Sequence, residues 1–202
     1  MARKRGRYHH GDLREALIDA AVELIGERGV RGFSLAEASR RLGVATSAPY
    51  AHFADRDELV AAVAVRACRR FRAQLVRGSS EPRNPADRLA AMARAYVRFA
   101  GTQRALFEAL FSSGLDKRRY PELKAAEQPI DDAFQECVSA LSNGTSPEEL
   151  ADAVEAAAHG HATLLLDGSF GEGYRAVELA AERAARVTLA IVESRRLLTP
   201  GR

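Results

Sequence analysis

Cysteine is scarce in this 202-residue sequence, which contains only Cys68 and Cys137. Two cysteines so far apart can supply neither a disulfide framework nor a zinc cluster. No apolar run approaches the roughly 18–20 residues that a membrane-spanning helix needs. The basic start of the chain leads into polar residues and not into the apolar stretch of a signal peptide. We therefore expect a cytoplasmic protein with no membrane partner.

Signatures of catalysis are also missing from the sequence. It contains no recognisable Ser/His/Asp arrangement, glycine-rich phosphate loop or paired-carboxylate motif. His159 and His161 are two residues apart and point in different directions on a helix, so they cannot chelate one ion as an i, i+4 pair can. We expect no enzyme activity, no metal and no cofactor. The enzyme alternative would require turnover at a pocket that contains His161.

The positive charge is confined to the first quarter of the chain. Residues 1–56 hold ten Lys/Arg and seven Asp/Glu, whereas residues 57–202 hold twenty of each. Arg3, Lys4, Arg5 and Arg7 precede any acidic residue. A short basic arm on an otherwise balanced protein indicates a polyanionic partner. An ordinary solvated terminus is the alternative interpretation.

Helix signals recur along the whole sequence, and strand-like alternation is absent from it. Asp12 can cap a helix over 13–28, which Gly29 can close. Asn84-Pro85 and Ser146-Pro147 each combine an N-cap with a proline at the first helical position. We predict an all-α protein of about nine helices.

The segment from Ser34 to Phe53 has the pattern of a helix-turn-helix. A short helix with inward-facing Leu35, Ala38 and Leu42 leads to Gly43, where a left-handed turn residue fits best. A second short helix follows and would lie in the DNA major groove. The alternative is a helical hairpin that serves only as core.

The sequence around this motif also resembles a known family. The stretch GDLREALIDAAVELIGERGVRGFSLAEASRRLGVATSAPYAHFADRDELVAAV is similar to the amino-terminal domain of tetracycline-repressor-type (TetR family) regulators. The resemblance covers about residues 8–65. It joins an amphipathic first helix ending in ERG, the helix-turn-helix, and a Tyr-x-His-Phe ending before an acid and Arg56. It implies a homodimeric repressor that leaves its operator when a small ligand binds the carboxy-terminal domain.

The resemblance also implies a set of DNA contacts. Residues at positions that usually touch DNA in the family are Ser34, Thr46, Ser47, Tyr50, His52 and Arg56. To these we add Ala48, because small side chains on the second helix permit close approach to the groove. The basic arm could place Arg5 and Arg7 in a minor groove.

Pro49 limits how the second helix can begin. Its missing amide hydrogen costs nothing only in the first turn, where amides lack intrahelical partners. We therefore predict Thr46 as N-cap, Pro49 at the third helical position and a helix of about two turns.

The carboxy-terminal half carries aromatic residues in helical stripes. Such residues are core more often than ligand contacts, but an effector site would need a mostly apolar wall with a few polar groups. The candidate ligand-binding residues are Phe71, Tyr96, Phe99, Phe107, Phe111, Phe134, Gln135 and His161.

The last two predicted helices, about 147–167 and 172–198, carry many small and apolar residues. Ala180, Ala184, Val187 and Ile191 recur at three- and four-residue spacing, which favours close packing across a twofold axis. Part of this stripe must also be core.

These observations divide the chain by function. We predict an amino-terminal helix-turn-helix domain of three helices with its basic arm (1–56), a linking helix (57–79) and a helical ligand-sensing and dimerisation domain (80–202). The function predicted is a ligand-responsive repressor that binds a palindromic double-stranded DNA operator as a homodimer. The alternative is a ligand-independent or architectural DNA-binding regulator whose carboxy-terminal half is only a dimer scaffold.

Overall fold

A computed structural model describes residues 10–78, 84–142 and 146–198, and these residues form helices, turns and no strand. The all-α prediction is confirmed. The described residues contain eight α-helices and three short 3₁₀-helices, close to the predicted nine. The α-helices are α1 (His10–Arg28), α2 (Leu35–Leu42), α3 (Arg56–Gly78), α4 (Pro85–Thr102), α5 (Arg104–Phe111), α6 (Pro121–Leu141), α7 (Pro147–Leu166) and α8 (Gly173–Glu193).

The chain packs as two compact units. The first contains the residues up to Ala67 together with Ala105–Lys124, and the second contains Cys68–Arg104 together with Ala125–Arg202. Helix α3 contributes to both units because the division falls within it. The functional division at residues 56 and 79 is a separate matter and stays a prediction.

The first helix begins earlier than its sequence signal indicates. It starts at His10, so Asp12 lies inside the helix and is not its cap. An acidic residue in the first turn is favourable because it faces the positive end of the helix dipole, and this preference does not mark the cap itself. The closing residue is as predicted, since Gly29 has φ 74° and donates its N–H to Ile25 O at 2.8 Å.

Two other helix starts follow the sequence closely. Asn84 accepts a hydrogen bond from the backbone N–H of Asp87, and Ser146 accepts one from that of Glu149. Each cap is followed by a proline at the first helical position. Both predicted caps are therefore confirmed.

Helices α4, α7 and α8 form the core of the second unit. Small residues let α4 and α8 approach closely. A Cβ at Gly101 of α4 would lie 2.7 Å from Val177 Cγ2 and 2.9 Å from Leu165 Cδ2. Ala180 and Ala184 of α8 are fully buried within the chain itself. These two alanines, predicted to pack across a twofold axis, are therefore core residues of their own unit.

Among the described helices, none has the combination of length and apolar character that crossing a membrane requires.

Candidate nucleic-acid interface and effector site

Helix α2 begins at a complete capping box. Ser34 Oγ accepts a hydrogen bond from Glu37 N at 3.3 Å, and the Glu37 carboxylate accepts one from Ser34 N at 3.1 Å. Two amides that the first turn leaves without helical partners are satisfied in this way. The Ser34 side chain, a predicted DNA contact, thus has a structural role at the exposed start of the helix.

The turn after α2 has the geometry that its glycine predicts. Gly43 has φ 70°, a left-handed conformation that a side chain disfavours. Its N–H donates to Arg40 O, and Val44 N donates to Ser39 O at 3.1 Å. This closure ends α2 and turns the chain toward the next helix.

The second helix of the motif is shorter than predicted. It is a single 3₁₀ turn over Ala48–Ala51 with Ser47 at the N-cap, so the predictions of Thr46 as cap and of two α-helical turns are wrong. Pro49 is the second residue of this turn, where its missing amide is tolerated. The bonds run from Tyr50 N to Ser47 O (3.2 Å) and from His52 N to Pro49 O (2.9 Å).

The next helix limits the length of this turn. Asp55 caps α3 by accepting from Glu58 N at 2.8 Å, and the Glu58 carboxylate accepts from Ala54 N at 2.5 Å. Only a few residues remain between Ser47 and this cap. One 3₁₀ turn is what the intervening chain can form.

Polar residues of the turn face solvent, and its apolar residues face the core. Tyr50 is 60% exposed, and Thr46 and Ser47 are also exposed, whereas Pro49 and Phe53 are buried. Ala48 and His52 are half-buried. This orientation leaves three side chains with hydroxyl groups available on one short segment. Contact of these residues with DNA remains a prediction.

Arg56 is tied to its own unit. Its guanidinium donates to the backbone carbonyls of Val30 and Phe33, lies over the Phe33 ring at 5.1 Å, and pairs with Asp57 at 2.8 Å. These contacts anchor the loop before α2 to the start of α3. Arg5 and Arg7 lie outside the described residues.

Other arginines of the motif differ in how far they are engaged. Arg41 binds Glu27 at 2.6 Å and Glu23 at 3.3 Å, and its hydrogen bond lowers the pKa of the Glu27 carboxyl. Arg40, one residue earlier, is exposed beside the turn. Our sequence prediction omitted Arg40, and its position in the last turn of α2 was the only signal for it.

Three of the predicted ligand-binding residues come together in the second unit. The Phe71 ring centroid lies 5.8 Å from that of Tyr96 and 5.2 Å from that of Phe99. Tyr96 also makes a 2.9 Å hydrogen bond from its hydroxyl group to His159 Nδ1. Burial, followed by the nearby Glu155 carboxylate, raises the pKa of the Tyr96 phenol. The result is an aromatic cluster with one polar end.

His159 is a member of this cluster that our sequence prediction missed. It is exposed, and it was considered only as a metal ligand. The signal lay in the spacing between Tyr96 and its helix neighbours, which cannot reveal which residue of another helix it meets. No group of three or more metal-binding side chains occurs within residues 10–78, 84–142 and 146–198.

The other predicted ligand-binding residues are dispersed. Phe107 and Phe111 pair at 4.8 Å in the first unit. Phe134 packs against the apolar cluster around Leu150, and Gln135 is exposed. His161 binds Ala157 O through Nδ1 at 2.7 Å and stacks on Phe170 at 6.1 Å.

A helix-turn-helix whose second helix is exposed, followed by a larger helical unit, defines the class of DNA-binding transcriptional regulators. The sequence matches two families of this class: "Bacterial regulatory proteins, tetR family" over residues 17–63, and "Tetracyclin repressor-like, C-terminal domain" over residues 89–194. The chain belongs to the TetR family. No curated protein matches its sequence.

Solved structures share the fold over nearly the whole chain. A protein of unknown function from Rhodococcus sp. RHA1 is 29% identical, with a TM-score of 0.69, covering 92% of this chain and 98% of that one. The regulator FadR from Bacillus subtilis, in complex with stearoyl-CoA, is 16% identical, with a TM-score of 0.66 and coverages of 88% and 96%. AibR, in complex with isovaleryl coenzyme A and operator DNA, is 20% identical, with a TM-score of 0.66 and coverages of 86% and 96%.

Proposed function

We propose that this regulator is a repressor that binds a palindromic operator as a homodimer and leaves it when a small molecule binds the second unit. The observation that carries the proposal is the exposed face of the 3₁₀ turn, with Tyr50, Thr46 and Ser47 directed to solvent. In functional terms, residues 1–56 bind DNA, 57–79 link, and 80–202 dimerise and sense the effector.

The chemistry of the exposed face favours backbone contacts over base contacts. Hydroxyl groups of Thr46, Ser47 and Tyr50 can donate to phosphate oxygens, and Ala48 can approach a thymine methyl. Few side chains on the turn can make bidentate base contacts. Specificity therefore depends on DNA shape, with Ser34, His52 and Arg56 positioning the motif and Arg5 and Arg7 entering a minor groove.

Selection from a random duplex library at near-physiological salt tests the DNA-binding part. We expect enrichment of a palindrome whose half-sites lie about one helical turn, ~34 Å, apart. Salt matters because phosphate contacts alone can retain DNA at low ionic strength. Retention without enrichment, disappearing as salt rises, would contradict the operator proposal.

A pair of tyrosine variants tests the face itself. Tyr50→Ala removes a 60% exposed side chain from the turn, and Tyr174→Ala removes a 77% exposed one from the second unit. We expect the first to weaken operator binding by about tenfold, as for the loss of one or two good contacts. The second should leave DNA affinity unchanged, and equal effects of both would contradict the assignment.

The cluster of Phe71, Tyr96 and Phe99 supports an effector site in the second unit. Its apolar rings and its single hydrogen-bonded pair, Tyr96 with His159, fit a ligand that is largely apolar with one polar group. The acyl-CoA complexes of FadR and AibR make stearoyl-CoA and isovaleryl-CoA the first probes.

Thermal stability measured with each probe tests the effector proposal. A ligand at 100 times its Kd stabilises the folded state by about 2.7 kcal/mol. We expect such a shift together with release of the operator, and we expect Tyr96→Phe to reduce both. Leu197→Ala, at an 85% exposed position, is the control.

A ligand-independent regulator remains the second candidate. Phe71 and Phe99 are 5% and 1% exposed, so the cluster is already packed as a core would be. This candidate predicts that no small molecule stabilises the protein while the operator is still bound. The thermal measurements therefore decide between the two.

Dimer formation is proposed through α7 and α8. With Ala180 and Ala184 in the core, the apolar side chains that α8 leaves exposed are Leu179 and Val187, and Ile191 is half-buried. Sedimentation of the purified protein tests this part, and a monomer at micromolar concentration would contradict it.

A further inference from the structure

Gly160 lies in the interior of α7 without a reason in its own chain. A Cβ at this position would meet no atom within 4 Å, and its backbone is helical. Glycine inside a helix costs about 1 kcal/mol relative to alanine. By contrast, Gly101 of α4 is explained within the chain, because a Cβ there would lie 2.7 Å from Val177. The space above Gly160 therefore fits the close approach of something outside the chain.

The surroundings of Gly160 are apolar on both outer helices of the second unit. Ala156 and Leu164 are exposed one turn before and after it on α7. On the adjacent α8, Leu179 and Val187 are 41% and 38% exposed. Exposed apolar residues on two packed helices are characteristic of an interface with another protein.

The charges on these two helices have opposite signs. Helix α7 contains four acidic residues and no lysine or arginine, and Glu148, Asp152 and Glu155 among the four are exposed. On α8, Arg175, Arg183 and Arg186 are exposed.

The acids of α8 do not cancel this pattern. Glu178 and Glu182 bind Arg98 and Arg94 of α4 at 2.5 Å and 2.6 Å. On α7, by contrast, the neighbouring carboxylates of Asp152 and Asp131 contribute, after burial, to raising the pKa of Glu155. Helix α7 is thus an acidic surface and α8 a basic one.

We propose that α7 of one copy packs on α8 of a second copy, with closest approach at Gly160, and that the acidic row of α7 faces the arginines of α8. The proposal rests on the homodimer proposed above and specifies how its helices pair. A twofold axis repeats each contact, so one α7–α8 pairing creates the second with the same favourable charges. Pairing α7 with α7 would instead place like charges together, which is strongly unfavourable in an interface. The charge pattern therefore selects both the register and the partner.

Two charge-reversed variants test the pairing. Asp152→Arg with Glu155→Arg makes α7 basic, and Arg183→Glu with Arg186→Glu makes α8 acidic. Alone, each should have a dimer Kd at least about tenfold weaker than the wild type, by sedimentation at physiological salt. Mixed in equal amounts, the two variants form one reversed and one wild-type contact of like charge when they pair, so the decisive variant is the chain carrying all four reversals. That chain should recover wild-type dimerisation, and it should not pair with the wild type.

The quadruple variant separates this inference from the homodimer itself. A monomeric wild type would overturn both. A dimeric wild type whose Kd is unchanged in the two double variants, or a quadruple variant that stays as weak as they are, would overturn only the pairing. Circular dichroism establishes that each variant is helical before its Kd is measured.

Gly160 provides an independent test. Gly160→Leu leaves the isolated chain without a clash, and we expect its dimer Kd to rise by at least about tenfold because the close approach is blocked. Gly26→Leu is the control, since Gly26 is exposed near the end of α1. An unchanged dimer Kd for Gly160→Leu would overturn the approach at this residue.

Discussion

Arg56 illustrates how one side chain can look like a DNA contact and also hold a fold together. Its position in the sequence resembles that of a phosphate-binding residue, yet its guanidinium donates to the carbonyls of Val30 and Phe33. A planar group with several donors can serve both carbonyls at once, which an ammonium group cannot do in the same geometry.

We expect Arg56→Ala to lower the free energy of unfolding by about 1–3 kcal/mol, because two backbone acceptors lose their donor. Arg56→Lys should recover little of this stability. Urea denaturation measures both, with Arg40→Ala as an exposed control. Unchanged stability with lost operator binding would instead assign Arg56 to DNA alone.

Gly101 and Gly26 are two helical glycines for which the structure predicts opposite effects. A Cβ at Gly101 would lie 2.9 Å from Leu165, whereas one at Gly26 would lie 3.8 Å from Ala105, an ordinary contact distance. We expect Gly101→Ala to destabilise by about 1–3 kcal/mol through overpacking. Gly26→Ala should be neutral or stabilise by up to about 1 kcal/mol. Destabilisation of similar size in both variants, measured in urea, would contradict this distinction.

At the scale of elements, the start of α2 has two possible uses. Ser34 belongs to the capping box, and the family resemblance also places it near DNA. We expect Ser34→Ala to cost about 1 kcal/mol of stability, and Ser34→Asp to retain most of it because aspartate is a good N-cap.

The same pair distinguishes the two uses in DNA binding. If the Ser34 hydroxyl touches a phosphate, Ser34→Asp should weaken operator binding by charge repulsion while the protein stays stable. Equal affinity for the wild type and Ser34→Asp would restrict Ser34 to the cap. Fluorescence anisotropy on the selected operator measures this affinity.

The second helix of the motif shows where reasoning from local sequence ended. Pro49 correctly indicated a helix start, since proline is tolerated there. The extent of the helix was wrong, because Asp55 and Glu58 cap α3 a few residues later and compete for the same chain. Length depended on two neighbouring signals at once, and each had been considered separately.

At the scale of the whole molecule, ion pairs occur in both units. Hydrogen bonds from Arg41, Arg88 and Arg94 lower the pKa of Glu27, Glu136 and Glu182, respectively. A lowered pKa means that the native carboxylate binds a proton less readily than the unfolded one. Each pair therefore stabilises the fold above the unfolded pKa of glutamate, and this contribution is lost as the pH falls through the lowered pKa.

We accordingly expect Tm to fall as the pH drops below the usual range of glutamate. Glu182→Gln should lower Tm at pH 7 and make the acid-induced fall shallower, because one titrating group is gone. Glu193→Gln, at an exposed position on the same helix, is the control. Parallel Tm curves for the wild type and Glu182→Gln would contradict the linkage to Arg94.

The sequence by itself determined the helical class, most helix boundaries and the helix-turn-helix. These depend on local chemistry: caps such as Ser34 and Asn84, the left-handed Gly43, and apolar spacing along one helix. The family followed from the same segment, because its motif is contiguous in the chain.

Only the tertiary structure decided which residues meet. Tyr96 and His159 are 63 positions apart, and nothing in either helix alone indicates their hydrogen bond. Likewise, Ala180 and Gly160 are both small, yet one is buried in its own chain and the other has open space above it. Helix periodicity gives the direction of a side chain relative to its own helix, whereas the packing of helices determines what lies in that direction.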